Sequence, residues 1–384
     1  MPPFFETGFT VPTRIRFGIG AFDHHLGALV PGARVLVLHG RSAQMLVERV
    51  RMLLADRALH FLQIPSGEPT TDSVDGILRH ARAAAPDAVI GLGGGSAIDT
   101  AKATAALLCE APGTSCVDFL EVDGTRHLSG KSVPMVAVPT LCGSGAEVTR
   151  NAVIFNPRTG AKRSLRHDAL FPTVALVDPD LSATAPRTAR LAAAVDAWCH
   201  LTETLCSTRA TPFTLPLSAE GMRLLLPVLP ELPDDQTTAA AAACASVLGG
   251  IALTNAGLTF GHGIGAVLGP ATGISHGQAC GLLLPEVLAW CLPHLPEDRR
   301  AVVRHLLGDE PAARVQALLE QTGFYRSIRA RAPDDRTRDT VAAVSARAAS
   351  TRATPGIPDE SALRRILDAA LARIPVDDQG GPLC

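Results

Sequence analysis

The chain of 384 residues, 47% hydrophobic and 19% charged, is long enough for two folded domains and too apolar for wholesale disorder. Its 35 Lys and Arg against 37 Asp and Glu leave a formal charge of −2, so neither a nucleic acid nor an anionic membrane is an expected partner, and any bound anion must be caught by a local site. The longest largely apolar run, Ala239 to Leu253, is shorter than the roughly 20 residues a membrane-crossing helix needs.

In chain order, Val35–Leu38 has the short, fully apolar texture of a buried strand, followed by a glycine turn and a helical stretch from Ser42 to Leu54. Ala88–Leu92 repeats the pattern, leading through Gly93-Gly94-Gly95 into a helix from Ser96 to Leu108. Val133–Val138 and Thr173–Val177 are two further strands. This alternation predicts an α/β domain built on a mainly parallel sheet, over residues 1–183. From about Thr188 the sequence turns alanine- and leucine-rich with helical periodicity and no strand run, which predicts an all-helical second domain over 184–384. The tail from Asp377 to Pro382 is expected to be loose. Nine scattered cysteines without a C-x-x-C pair, and opening residues without a basic-then-apolar pattern, fit a reducing cytoplasm.

Two loops point to a nucleotide. Gly94, Gly95, Ser96, Ala97, Ile98 and Asp99 join a strand to a helix, where glycines allow close backbone approach and the helix N-terminus offers unpaired N–H groups to a pyrophosphate. The same residues also suit an ordinary capped βα loop, and they do not form the G-x-G-x-x-G fingerprint. The loop from Pro139 to Thr149, with Thr140, Leu141 and Ser144, interleaves hydroxyls and glycines after another buried strand. After the first strand, Gly40 stands where an acidic residue would bind the adenosine ribose of NADH. With Arg41 and Ser42 beside it to take a 2′-phosphate, NADPH is favoured over NADH.

Asp196 and His200 are four residues apart, which on a helix stacks them on one face; alone this reads better as a helix-surface ion pair than as a metal grip. His262 and His276 lie among small and apolar residues, where an unpartnered imidazole is costly to bury. One carboxylate and three imidazoles suit Fe2+, or alternatively Zn2+. Only three of the basic residues are lysine, at 102, 131 and 162.

The motifs G-G-G-S-A-I-D-T-A-K (93–102), P-T-L-C-G-S-G-A-E-V-T (139–149), D-A-W-C-H (196–200), H-G-I-G-A-V-L-G (262–269) and S-H-G (275–277), in this order, resemble the iron-containing (group III) alcohol dehydrogenases along most of the chain. The resemblance implies an active site in a cleft between the two domains, and a homodimer or larger homo-oligomer. It also implies metal ligation by Asp196, His200, His262 and His276, and cofactor contacts from residues 95–99 and 140–144, Lys162 and Leu181. The implied reaction is hydride transfer between a nicotinamide and an aldehyde or alcohol at a Lewis-acidic metal. The chain departs from the family at Ala266, where a further histidine is usual, and at Gly40. The basic cluster Arg163, Arg166 and His167, with Asn151, makes a small anionic aldehyde such as phosphonoacetaldehyde the favoured substrate, although solvated charges would look the same. Maleylacetate reductase is the nearest alternative. A dehydroquinate-synthase-like lyase or cyclase shares the architecture, but its phosphate pocket calls for lysines that are absent after Lys162.

Overall fold

The computed structural model describes residues 7–183, 185–230, 232, 235–329 and 333–375, so the tail from Asp377 to Pro382 lies outside the described residues. Two compact units emerge from the chain's internal contacts. One comprises Val11–Ala185 with Asp234–Ala243; the other comprises Met1–Thr10, Pro186–Pro233 and Cys244–Cys384.

The first unit is α/β. Its strands are β1 (Arg14–Phe17), β2 (Arg34–His39), β3 (Ala58–Gln63), β4 (Ala88–Gly93), β5 (Met135–Pro139), β6 (Asn151–Asn156), β7 (Ala161–Arg166) and β8 (Val174–Val177). Among the described residues, six of them form one sheet in the order β1-β8-β5-β4-β2-β3, with every pairing parallel. The helices of this unit are α1 (Ala21–Leu29), α2 (Val47–Leu53), α3 (Thr71–Ala84), α4 (Gly95–Leu107) and α5 (Pro179–Ala183). Val35, Val37, Ile90, Leu92, Val136 and Val138 point to one face and pack with Phe22 and Leu26 of α1. Their neighbours Leu36, Leu38, Val89, Met135 and Ala137 point to the other, against Ile77 of α3 and Ile98 and Ala101 of α4. Burial on both faces is why these strands read as unbroken apolar runs.

Five elements depart from the sequence expectation. The segment after β2 begins as a 3-10 turn, Arg41–Leu46, before α2. Strands β1 and β3 sit at the two sheet edges, where polar, exposed residues such as Arg16 and His60 interrupt the apolar run. The basic segment 162–166, read in the sequence only as a cluster of charges, lies on β7, which pairs antiparallel with β6 in a separate hairpin.

Among the described residues, no strand follows β8. The helices there are α6 (Arg187–Cys206), α7 (Thr214–Leu225), α8 (Gln236–Ala256), α9 (Phe260–Thr272), α10 (His276–Cys291), α11 (Glu297–Leu307), α12 (Pro311–Gln321), α13 (Phe324–Ser327), α14 (Asp335–Ala346) and α15 (Glu360–Leu371). Helix α8 is longer than its apolar run suggested: its 21 residues meet the length and composition of a bilayer-crossing helix, but half of the apolar window is buried inside the protein.

Candidate active site

Strand order in the α/β unit reverses between β2 and β4, and ligands of open α/β sheets gather beyond the carboxyl ends of strands at such a point. Three loops meet there. The Gly40 N–H donates to Leu92 O at 3.0 Å, and the Thr140 N–H donates to Gly93 O at 2.9 Å. The glycine turn lies tight under the second loop, since a Cβ on Gly95 would come within 2.9 Å of Ser144 Oγ. Helix α4 starts at this turn, with Gly94 as its N-cap and no side chain capping it, so its first N–H groups remain available to an anion. A side chain at Gly40 would meet open space, and Arg41 and Ser42 are exposed.

Asp99 is also held inside the unit. Its carboxylate pairs with the buried Lys102 ammonium at 2.8 Å and accepts from the Val153 N–H at 2.9 Å. Lys102 Nζ also donates to Ala146 O at 2.9 Å, Thr149 Oγ1 at 3.0 Å and the carbonyl of Asn151. One lysine thereby ties α4 to the second loop and to β6. Leu181 is buried in the core beneath the sheet.

The second constellation lies wholly within the helical unit. Asp196 and His200 share one face of α6, His262 sits in the first turn of α9, and His276 opens α10. Ser275 caps α10 in a reciprocal box with Gln278. The start of α10 runs so close to α6 that a Cβ at Gly277 would lie 2.2 Å from Ala192 O, which explains the glycine directly after the ligand histidine. The Nε2 atoms of His200, His262 and His276 lie 3.9, 3.8 and 4.0 Å from one atom, Asp196 Oδ1. Two donors on one tetrahedral ion lie about 3.4 Å apart, so these atoms need close by only a few tenths of an ångström around a shared ion. Asp196 Oδ1 and His262 Nε2 are buried without a hydrogen-bond partner, a costly state that a bound cation would relieve. Burial pushes the Asp196 carboxyl upward, but the three imidazoles outweigh it and hold it below the usual carboxylate range.

Residues 12–179 match the family described as iron-containing alcohol dehydrogenase, and residues 190–371 match its C-terminal family. The chain belongs to the iron-containing alcohol dehydrogenase family. It is similar to a probable alcohol dehydrogenase, EutG, of Salmonella typhimurium, at 30% identity over 81% of this chain and 75% of that one. It is also similar to a sulfoacetaldehyde reductase of Bilophila wadsworthia, at 30% identity over 63% and 62% of the two chains. The solved structure of an iron-containing alcohol dehydrogenase from Thermotoga maritima superimposes with a TM-score of 0.84 at 27% identity, covering 96% of this chain and all of that one.

Within this family fold, the basic cluster is engaged by neighbouring acids. Arg163 Nε lies 3.0 Å from Asp123, Arg166 Nε 3.2 Å from Glu121, and Lys162 pairs with Glu68. His167 Nδ1 accepts from the Ala169 N–H at 3.0 Å. Asn151 opens β6, with its carbonyl on Lys102.

Sequence reasoning missed Glu203. Fully buried on α6, seven residues beyond Asp196, it places Oε1 2.6 Å from His262 Nδ1. Its Oε2 accepts from the Thr259 N–H at 2.8 Å, the Thr259 hydroxyl at 2.7 Å and the His262 N–H at 3.3 Å. The available signal was its spacing: positions 196, 200 and 203 share one helical face.

Proposed function

We propose that this oxidoreductase is a metal-dependent, NADPH-linked alcohol dehydrogenase working as a reductase of small aldehydes. The observation that carries this is the convergence of three imidazole Nε2 atoms on Asp196 Oδ1, with two of the four donors buried and unsatisfied. Asp196, His200, His262 and His276 would hold a divalent ion, Fe2+ in line with the family and Zn2+ as the alternative. When bound, the ion supplies Lewis acidity toward a carbonyl oxygen and the nicotinamide supplies hydride.

The chain's own residues do the rest. Glu203 accepts from His262 Nδ1–H, which leaves Nε2 with its lone pair turned toward Asp196. The uncapped N–H groups at the start of α4 would receive the pyrophosphate, and Thr140 and Ser144 of the second loop would offer hydroxyl donors beside this turn. Open space at Gly40, with Arg41 and Ser42 exposed, supports a 2′-phosphate and hence NADPH. Ala266 offers no imidazole one turn beyond His262, so a side chain at this position would not relay a proton to the product oxygen.

For the substrate, the pairing of Arg163 with Asp123 and of Arg166 with Glu121 offsets both positive charges, which supports an uncharged aldehyde over an anionic one such as phosphonoacetaldehyde. The test is NADPH oxidation by anaerobically reconstituted enzyme with short alkyl aldehydes against phosphonate, carboxylate and sulfonate aldehydes. Higher kcat/KM for the alkyl aldehydes is expected, and preference for the anionic set overturns the substrate assignment. A failure to consume NADPH with any of them overturns the dehydrogenase reading and returns the lyase alternative.

A further inference from the structure

The metal cluster holds one donor that the Asp196, His200, His262 and His276 set does not use. Cys280 lies on α10 one turn beyond His276, so both side chains leave the same helical face. Its sulfur is 3.7 Å from His276 Nε2. One donor atom each from Asp196, His262, His276 and Cys280 all fall within 4.8 Å of one another. A nitrogen and a sulfur bound to the same ion, at about 2.1 and 2.3 Å, stand between about 3.1 and about 3.8 Å apart for angles from a right angle to about 120°. The His276–Cys280 separation already matches that spacing.

Two independent features direct the thiol toward the cluster rather than toward general packing. Asp196 Oδ1 and His262 Nε2, on residues more than nine-tenths buried, are unpartnered and belong to the same group of donors. Helix α9 makes room for the sulfur: a Cβ at Gly265 would lie 2.6 Å from Cys280 Sγ, so any larger residue would displace it. The next residue, Ala266, adds no polar atom of its own.

We infer that Cys280 is a fifth, thiolate donor to the divalent ion in this site, beside its three imidazoles and its carboxylate. This rests on the proposed metal site. Ligation forms a metal–sulfur bond, and the thiol proton leaves to solvent. A soft donor shifts the site's preference from Fe2+ toward Zn2+ and Co2+.

The test uses Co2+ as the probe, titrated anaerobically into the full-length apoprotein. Thiolate ligation gives Co2+ an intense near-ultraviolet charge-transfer band, which imidazole and carboxylate donors do not produce. Their presence is reported separately by the visible d–d bands and by cobalt content. The expected result is both sets of bands in the parent protein. In Cys280→Ser and Cys280→Ala the charge-transfer band disappears while cobalt content and d–d absorption remain. Cobalt bound with d–d bands but no charge-transfer band in the parent, or a band that survives both substitutions, overturns the sulfur ligand and leaves the metal site standing. No stoichiometric cobalt in the parent overturns both.

Discussion

Glu203 Oε1 lies 2.6 Å from His262 Nδ1 in a fully buried pair, so the carboxylate fixes which imidazole nitrogen carries the proton and which way the other faces. The same carboxylate anchors the start of α9 through Thr259. The contact therefore joins helix placement to ligand orientation. Partners of this kind typically govern metal affinity by 10–100-fold. Glu203→Ala should weaken metal retention by about that factor, whereas Glu203→Gln, which still accepts from the imidazole, should recover part of it. Competition with a chromophoric chelator measures both, and equal losses in the two variants would mean that Glu203 only fills space.

Gly40→Asp should move cofactor preference toward NADH. The added side chain enters open space at the end of β2, so the fold tolerates it, and its charge repels a 2′-phosphate. A change of at least about tenfold in the NADPH/NADH ratio of kcat/KM corresponds to about 1.4 kcal/mol. An unaltered ratio would show that this turn does not read the 2′-phosphate.

Both features differ in how far the sequence disclosed them. The parallel sheet, the glycine turn and the D-x-x-x-H helix were legible because burial on two faces leaves unbroken apolar runs and because ligand spacing follows the helical repeat. The hairpin of β6 and β7 was not, since the positive charges of Lys162, Arg163 and Arg166 look merely solvated until Glu68, Asp123 and Glu121 are seen opposite them. Lys102 was noticed for its rarity, but its four buried partners lie up to 49 residues away in sequence. Glu203 and Cys280 stayed hidden for a related reason: a lone acid or thiol on an apolar helix gains meaning only from what another helix brings to it.

Lys102→Met should destabilise the protein strongly. It leaves the Asp99 carboxylate buried without its 2.8 Å countercharge and removes the donor to two carbonyls and Thr149. Breaking one side of a buried pair costs about 3–5 kcal/mol. Urea unfolding monitored by circular dichroism reads this directly, and a midpoint matching the parent protein would contradict the role assigned to the lysine.

Glu147, in the second loop, predicts a pH dependence. Burial raises its carboxyl from 4.5 to about 7, against the opposing pull of Lys102. Between those values the unfolded chain releases the proton while the folded chain keeps it, so this group makes stability fall as pH rises from about 4.5 to about 7. The full penalty, roughly 3 kcal/mol, persists above that window. Glu147→Gln should flatten this part of the stability–pH curve, and parallel curves for the two proteins would refute the assignment.

Turnover should depend on a divalent ion held jointly by Asp196, His200, His262 and His276. Elemental analysis of anaerobically Fe2+-reconstituted parent protein and of His262→Ala, each assayed for aldehyde-dependent NADPH oxidation before and after chelation, tests this. Stoichiometric metal and chelator-sensitive turnover are expected in the parent, and loss of both in His262→Ala. Undiminished metal content and turnover in the variant would contradict it.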